Sequence, residues 1–115
     1  MKERVIVIGG GVAGYPAALR AARLGADVTL IEKEKIGGVC INKGCIPTKV
    51  YLNAASFHRG MKRASLFGVN AEKVEIDFNA LVIRKKAVVD RLTGGVASLL
   101  KNKNVKLING TASFT

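Results

Sequence analysis

Tryptophan is absent, and aromatic residues make up only 5% of the 115-residue chain. Proteins that grip single-stranded nucleic acid stack bases on aromatic rings, so this composition argues against that mode. There are two cysteines and one histidine. Two cysteines cannot staple a disulfide-rich secreted scaffold. With the lone histidine they still fall short of the usual set of zinc ligands, so no metal site is expected. No window holds the ~18 uninterrupted apolar residues of a membrane-spanning helix, and no membrane partner is expected. Acidic residues are also scarce: 8 against 19 Lys and Arg, a net charge of +11. The basic residues are spread along the chain, however, and the densest groups are Arg84-Lys85-Lys86 and Lys101-Asn102-Lys103. Runs that short read as solvated helix faces, and no nucleic-acid partner is expected. Lys2 and Arg4 ahead of an apolar stretch resemble a signal peptide, but Glu3 and three consecutive glycines interrupt the pattern. The stretch reads as structure, and the expected compartment is the cytoplasm.

What remains is ordinary globular material, 49% hydrophobic and 23% charged, enough for one core. Val5-Ile6-Val7-Ile8 is a β-branched run suited to a parallel strand buried on both faces. Gly9-Gly10-Gly11 follows, and then small residues at helical spacing from Ala13 to Leu24, with Gly25 as the expected cap. Val28 to Ile31 is a second strand, which completes a βαβ unit. Gly37 to Cys45 reads as a glycine-rich turn. Pro47 fits the first turn of a helix with the stripe Val50, Ala54, Phe57, Met61 and Ala64. Asp77 is the expected N-cap of another helix. Its stripe runs Phe78, Val82, Val89, Leu92, Val96 and Leu99, interrupted at Gly94-Gly95. Val105 to Ile108 is a third strand, and Asn109-Gly110 reads locally as a hairpin turn.

Two segments carry chemistry. Gly9-Gly10-Gly11-Val12-Ala13-Gly14 fits the dinucleotide-binding fingerprint, and Glu32 ends the next strand roughly twenty residues on. Gly9 permits the tight turn, Gly11 lets backbone approach a pyrophosphate, and Gly14 allows helix and strand to pack closely. Free N–H groups at the helix N-terminus favour an anion, and Glu32 can accept hydrogen bonds from a ribose. The alternative is a glycine-rich loop that binds nothing. Cys40 and Cys45 are the second signal. Four residues separate them, a loop short enough to close as a disulfide, and in a reducing compartment so local a pair reads as redox-active. Cys45 stands beside a helix N-terminus, which favours negative charge on sulfur, and Lys43 and Lys49 add positive charge. The alternative is two unpaired core cysteines. His58, on the outward side of its helix, reads as a solvated histidine.

From Gly37 to Lys49, the run Gly-Gly-Val-Cys-Ile-Asn-Lys-Gly-Cys-Ile-Pro-Thr-Lys resembles the flavin-dependent disulfide reductases. These include dihydrolipoyl dehydrogenase, glutathione reductase and mercuric reductase. The Ile-Pro-Thr-Lys ending, Gly14-Tyr15 and Leu92-Thr93-Gly94-Gly95 resemble the dihydrolipoyl dehydrogenase branch most.

The resemblance implies an α/β fold: residues 1–115 as the N-terminal portion of an incomplete Rossmann-like FAD-binding domain, with the strand before Asn109-Gly110 in the parallel sheet instead of in a hairpin. The NAD-binding and dimerisation domains of the longer family chain would be absent, and the chain by itself inactive. It implies FAD as the dinucleotide, held by Gly9, Gly11, Gly14 and Glu32, with Lys33, Gly38 and Val39 along its path and the backbone at Ala112 against the adenine. Cys40 would be the interchange thiol and Cys45 the charge-transfer thiol, with Lys49 near the reactive edge of the flavin. Many relatives carry Thr where Val39 stands, and Pro16 is unusual. The parent reaction would oxidise dihydrolipoamide with NAD⁺, in a homodimer serving a 2-oxoacid dehydrogenase complex with a lipoyl-bearing substrate. A glutathione- or mercuric-reductase-like relative, or a non-catalytic nucleotide-binding fragment, is the alternative.

Overall fold

The computed structural model describes residues 2–115. The β-branched run becomes β1, Arg4–Ile8, and after the glycine turn α1 spans Gly14–Arg23. Pro16 lies in the first turn of α1, where its missing N–H has no carbonyl to serve. β2 follows at Asp27–Glu32, and β3 at Lys106–Asn109. The three strands form one parallel sheet in the order β1-β2-β3. This is the α/β, partial Rossmann-like architecture expected. The local hairpin reading of Asn109-Gly110 is overturned: β3 runs parallel to β2, and the Gly110 N–H donates to the Glu32 carbonyl at 2.9 Å instead of closing a turn. Parallel pairing is set by the long crossover before β3, which no dipeptide reports.

One face of the sheet is covered by α1 and by the C-terminal half of α4, Phe78–Asn102. Ala18, Val28, Leu30 and Leu100 are essentially inaccessible there, joined by Val96 and Val105. The other face is open. Ile6 and Ile8 are 66% and 50% exposed, so β1 is not buried on both faces as its composition predicted. A continuous apolar run describes a strand made to be covered twice, and within this chain helices cover it once.

Between β2 and β3 lie three α-helices. α2, Gly38–Asn42, turns part of the expected glycine-rich turn into a short helix. α3, Cys45–Lys62, runs outward; a 3-10 turn at Ala64–Phe67 and a loop follow; α4 returns. Asp77 caps α4 as expected, its carboxylate accepting the Ala80 N–H at 3.1 Å. Gly94-Gly95 does not interrupt α4. The α4 stripe holds at Val89 and Val96, which are buried, but Leu100 replaces Leu99 in the core, and Phe78 and Leu99 are 68% and 50% exposed. The helix pair makes the molecule long, 68 × 26 × 18 Å. Its radius of gyration is 20.0 Å, against roughly 13 Å for a compact chain of this length.

Candidate functional site

The site is built where β1, β2 and α2 meet. After Ile8 the chain turns sharply at Gly9, whose φ of +94° lies in the left-handed region, accessible to glycine at little cost. Gly14 then packs against that turn so closely that a Cβ would stand 1.7 Å from the Gly9 carbonyl oxygen. No side chain caps α1. The N–H groups of Gly11, Val12 and Ala13 donate to no backbone carbonyl among the described residues. Uncapped donors at the start of a helix, with only backbone near the Cβ positions of Gly9 and Gly11, fit a pyrophosphate.

Glu32 closes this loop from the end of β2. One carboxylate oxygen accepts the Gly10 N–H at 2.6 Å and the other the Glu34 N–H at 2.8 Å. The Glu34 N–H is the main reason its pKa lies below the ordinary carboxylate value; the Gly10 and Lys33 N–H groups lower it further. Glu32 therefore stays ionised and keeps lone pairs free for a further donor. Beside it opens a cleft of about 340 Å³ lined by Glu32, Ile36, Asp90, Thr93, Leu107 and Asn109. Ala112 is half-buried two residues past Gly110, whose N–H binds Glu32. Lys33, Gly38 and Val39 line an adjacent depression that Glu32 also borders.

The cysteine segment is fastened to the glycine turn through backbone. The Gly37 N–H donates to the Gly10 carbonyl at 2.8 Å. Gly38 lies against Gly11, so that a Cβ on Gly38 would stand 2.7 Å from the Gly11 Cα. The two segments, apart in sequence, thus form one surface. Cys40 is half-buried in α2, and Cys45 is exposed as the first residue of α3. Both are free thiols here. Hydrogen bonding to Cys45 is the main reason the Cys40 pKa is raised, with burial and the charge of Cys45 adding to it and Lys49 opposing it. The two sulfurs are therefore neighbours, and Lys49 is near enough for its charge to be felt. Buried Pro47 sits in the first turn of α3.

His58 is not on a fully solvated face. It is half-buried and faces the N-terminal turn of α4, near Asp77 and Leu81. It stands roughly 20 Å along α3 from Cys45, which removes it from the sulfur chemistry. One group went unread in the sequence, and another has a different partner from the one expected. Asn42 donates from Nδ2 to the carbonyls of Ile36 and Gly38 at 3.1 and 2.9 Å. Lys43 pairs with Glu34 at 2.7 Å, an exposed ion pair of small energetic weight. An Asn between two cysteines could have flagged a loop brace, but its partners lie outside any local pattern.

Comparison with known proteins agrees with this geometry. A family model described as pyridine nucleotide-disulphide oxidoreductase matches residues 3–115. The dihydrolipoyl dehydrogenase of Bacillus subtilis is 48% identical over 109 residues, covering 95% of this chain and 23% of its own length. That of Thermus scotoductus is 50% identical over 110 residues, covering 96% and 24%. The chain thus spans about a quarter of the length of these relatives. Among solved structures, LpdA from Mycobacterium tuberculosis matches with a TM-score of 0.86 at 28% identity, over 96% of this chain and 24% of that one. The Cu(II) complex of the HOCl-induced flavoprotein disulfide reductase RclA from Escherichia coli matches with a TM-score of 0.78 at 33% identity, over 99% and 23%.

Proposed function

Because the chain belongs to the pyridine nucleotide-disulphide oxidoreductase family, we propose that residues 1–115 supply the dinucleotide loop and the redox pair of an FAD-dependent disulfide oxidoreductase. Its parent reaction is the oxidation of dihydrolipoamide by NAD⁺. The observation that carries this reading is the backbone junction of Gly37 with Gly10 and of Gly38 with Gly11, which sets the cysteine segment against the anion-binding turn. Gly9, Gly11 and Gly14 would hold the FAD pyrophosphate, Glu32 the ribose, and the backbone at Ala112 the adenine. Lys33, Gly38, Val39 and Lys49 would line the path to the flavin. When bound, FAD supplies the two-electron relay between the thiols and NAD⁺.

The chain's own part is thiol–disulfide exchange. With Cys40 and Cys45 joined, a substrate thiolate attacks the Cys40 sulfur and the Cys40–Cys45 bond breaks. The leaving sulfur is Cys45, at the start of an 18-residue helix whose N-terminus stabilises the developing negative charge. The second substrate thiol then attacks the mixed disulfide. The substrate leaves oxidised and Cys40 is left as a thiol. That is the form in which its raised pKa keeps a proton on sulfur. The expected partners are a lipoyl-bearing substrate, its 2-oxoacid dehydrogenase complex and a second copy in a homodimer. The expected compartment is the cytoplasm.

Thiol counting tests the redox pair. Air-oxidised chain should show no alkylatable cysteine and reduced chain two; two reactive thiols in the oxidised sample overturn the reading. Flavin titration tests the loop. Glu32→Ala should weaken FAD binding more than Glu34→Ala does, by the weight of a charge-assisted hydrogen bond, about 1.5–3 kcal/mol. Coincident curves for the two variants count against it.

A further inference from the structure

Between the two cysteines stands a side chain that none of the chemistry above uses. Asn42 Nδ2 donates to the Ile36 carbonyl at 3.1 Å and the Gly38 carbonyl at 2.9 Å, with the Lys35 carbonyl at 3.4 Å. These three carbonyls belong to the approach to α2 and its first residue. The Asn42 carbonyl oxygen accepts the Thr93 hydroxyl at 3.3 Å, across 51 residues of sequence. Thr93 lies on α4, the helix whose Val96 and Leu100 are fixed in the core. A chain of side-chain hydrogen bonds therefore runs from the sheet core, through Thr93 and Asn42, into the five-residue helix that holds Cys40. α2 is otherwise too short to hold its own shape.

We propose that Asn42, held by Thr93, is the positioning residue of the Cys40–Cys45 pair: it fixes α2 so that the two sulfurs stay within bonding reach. The inference rests on the redox reading of that pair. Closing the pair joins the two Sγ atoms and releases two protons and two electrons; an oxidant such as glutathione disulfide takes them and leaves as two thiols. The equilibrium depends on how often the open dithiol brings its sulfurs together, which is an effective concentration set by the segment between them. A braced segment closes readily, and a loose one spends more of its time with the sulfurs apart.

The experiment is a redox titration of the full chain in mixtures of glutathione and glutathione disulfide, with free thiols counted by alkylation. Thr93→Val removes the hydroxyl at nearly constant volume and leaves the Asn42 oxygen unpaired. It should lower the equilibrium constant for closing the pair by roughly three- to tenfold, the weight of one hydrogen bond. Thr93→Ser keeps the hydroxyl and should restore the wild-type constant, which a merely structural loss of packing would not do. Asn42→Ala should lower the constant further, with circular dichroism confirming that the helices persist; if they do not, the Thr93 pair of variants decides. An unchanged constant in Thr93→Val overturns the proposal, as does failure of Thr93→Ser to restore it. A wild-type chain that forms no disulfide at all overturns the functional reading as well, so the two failures are distinct.

Discussion

The sheet end and the helical arm of this molecule are made of similar residues put to different use. At the sheet end, Ala18, Val28, Leu30 and Leu100 are sealed between one face of three strands and two helices. Along the arm, Phe57, Leu66, Phe67, Phe78 and Ile83 are each more than two-thirds exposed, and Ala64 is the buried residue of its turn. Amphipathic periodicity is present in both. What separates them is the number of layers: a helix between a sheet and another helix is buried on its apolar side, whereas two helices alone cover each other only along a seam. The stability of the chain should therefore reside at the sheet end, with the arm contributing little.

The largest expected contrast is between Leu30→Ala and Phe57→Ala. Leu30 is fully buried, and its truncation should cost about 2–5 kcal/mol in urea unfolding. Phe57 is 69% exposed, and its truncation should stay within about 0.5 kcal/mol. A comparable loss at both positions would break the contrast. Glycine replacement sharpens it. Gly14→Ala drives a Cβ into the Gly9 carbonyl and should cost about 1–3 kcal/mol. Gly60→Ala on the arm meets nothing within 4 Å and should gain up to about 1 kcal/mol of helix propensity. Differential scanning calorimetry reads both as shifts of opposite sign. Smaller still is the cap. Asp77→Ala removes an acceptor for the Ala80 N–H and should cost about 1 kcal/mol. Hydrogen exchange should accelerate in the first turns of α4 while the amides of β2 stay protected.

The smallest effect is in acid. The folded pKa of Glu32 lies below its ordinary value of 4.5 because the carboxylate accepts backbone N–H groups. Its contribution to stability is thus complete above the ordinary value and is lost as pH falls through the folded one. Glu32→Gln should flatten the fall in stability below that point. An equal slope in both chains would show that the brace on Gly10 does not count.

The sequence made the βαβ unit legible because its signals are local: β-branched runs for β1 and β2, glycines between them, and an acid after the second. Asp77 was legible for the same reason. α2 was not, since five residues carry no period and a glycine on either side points to a turn. The α4 stripe was read correctly at Val89 and Val96 but extended to apolar residues that have nothing to pack against, and it missed Leu100. The helix spends Phe78 and Leu99 on solvent and buries Leu100 in place of its neighbour. Asn109-Gly110 misled because turn propensity acts over two residues and strand direction over the whole crossover. The closeness of Cys40 and Cys45 along the chain was legible from spacing, but the Thr93–Asn42 tie lies far outside any window.

Cys45 begins an uninterrupted 18-residue helix, a rod of roughly 27 Å whose base is clamped at buried Pro47. Paired with α4 and anchored at the sheet end, the rod works as a lever with very unequal arms. A sideways push of a few ångström at Lys62 rotates it by only a few degrees, and a sulfur almost at the fulcrum is displaced by a small fraction of that. The long arm can be gripped, bent or jostled at its tip while the Cys45 sulfur barely registers it.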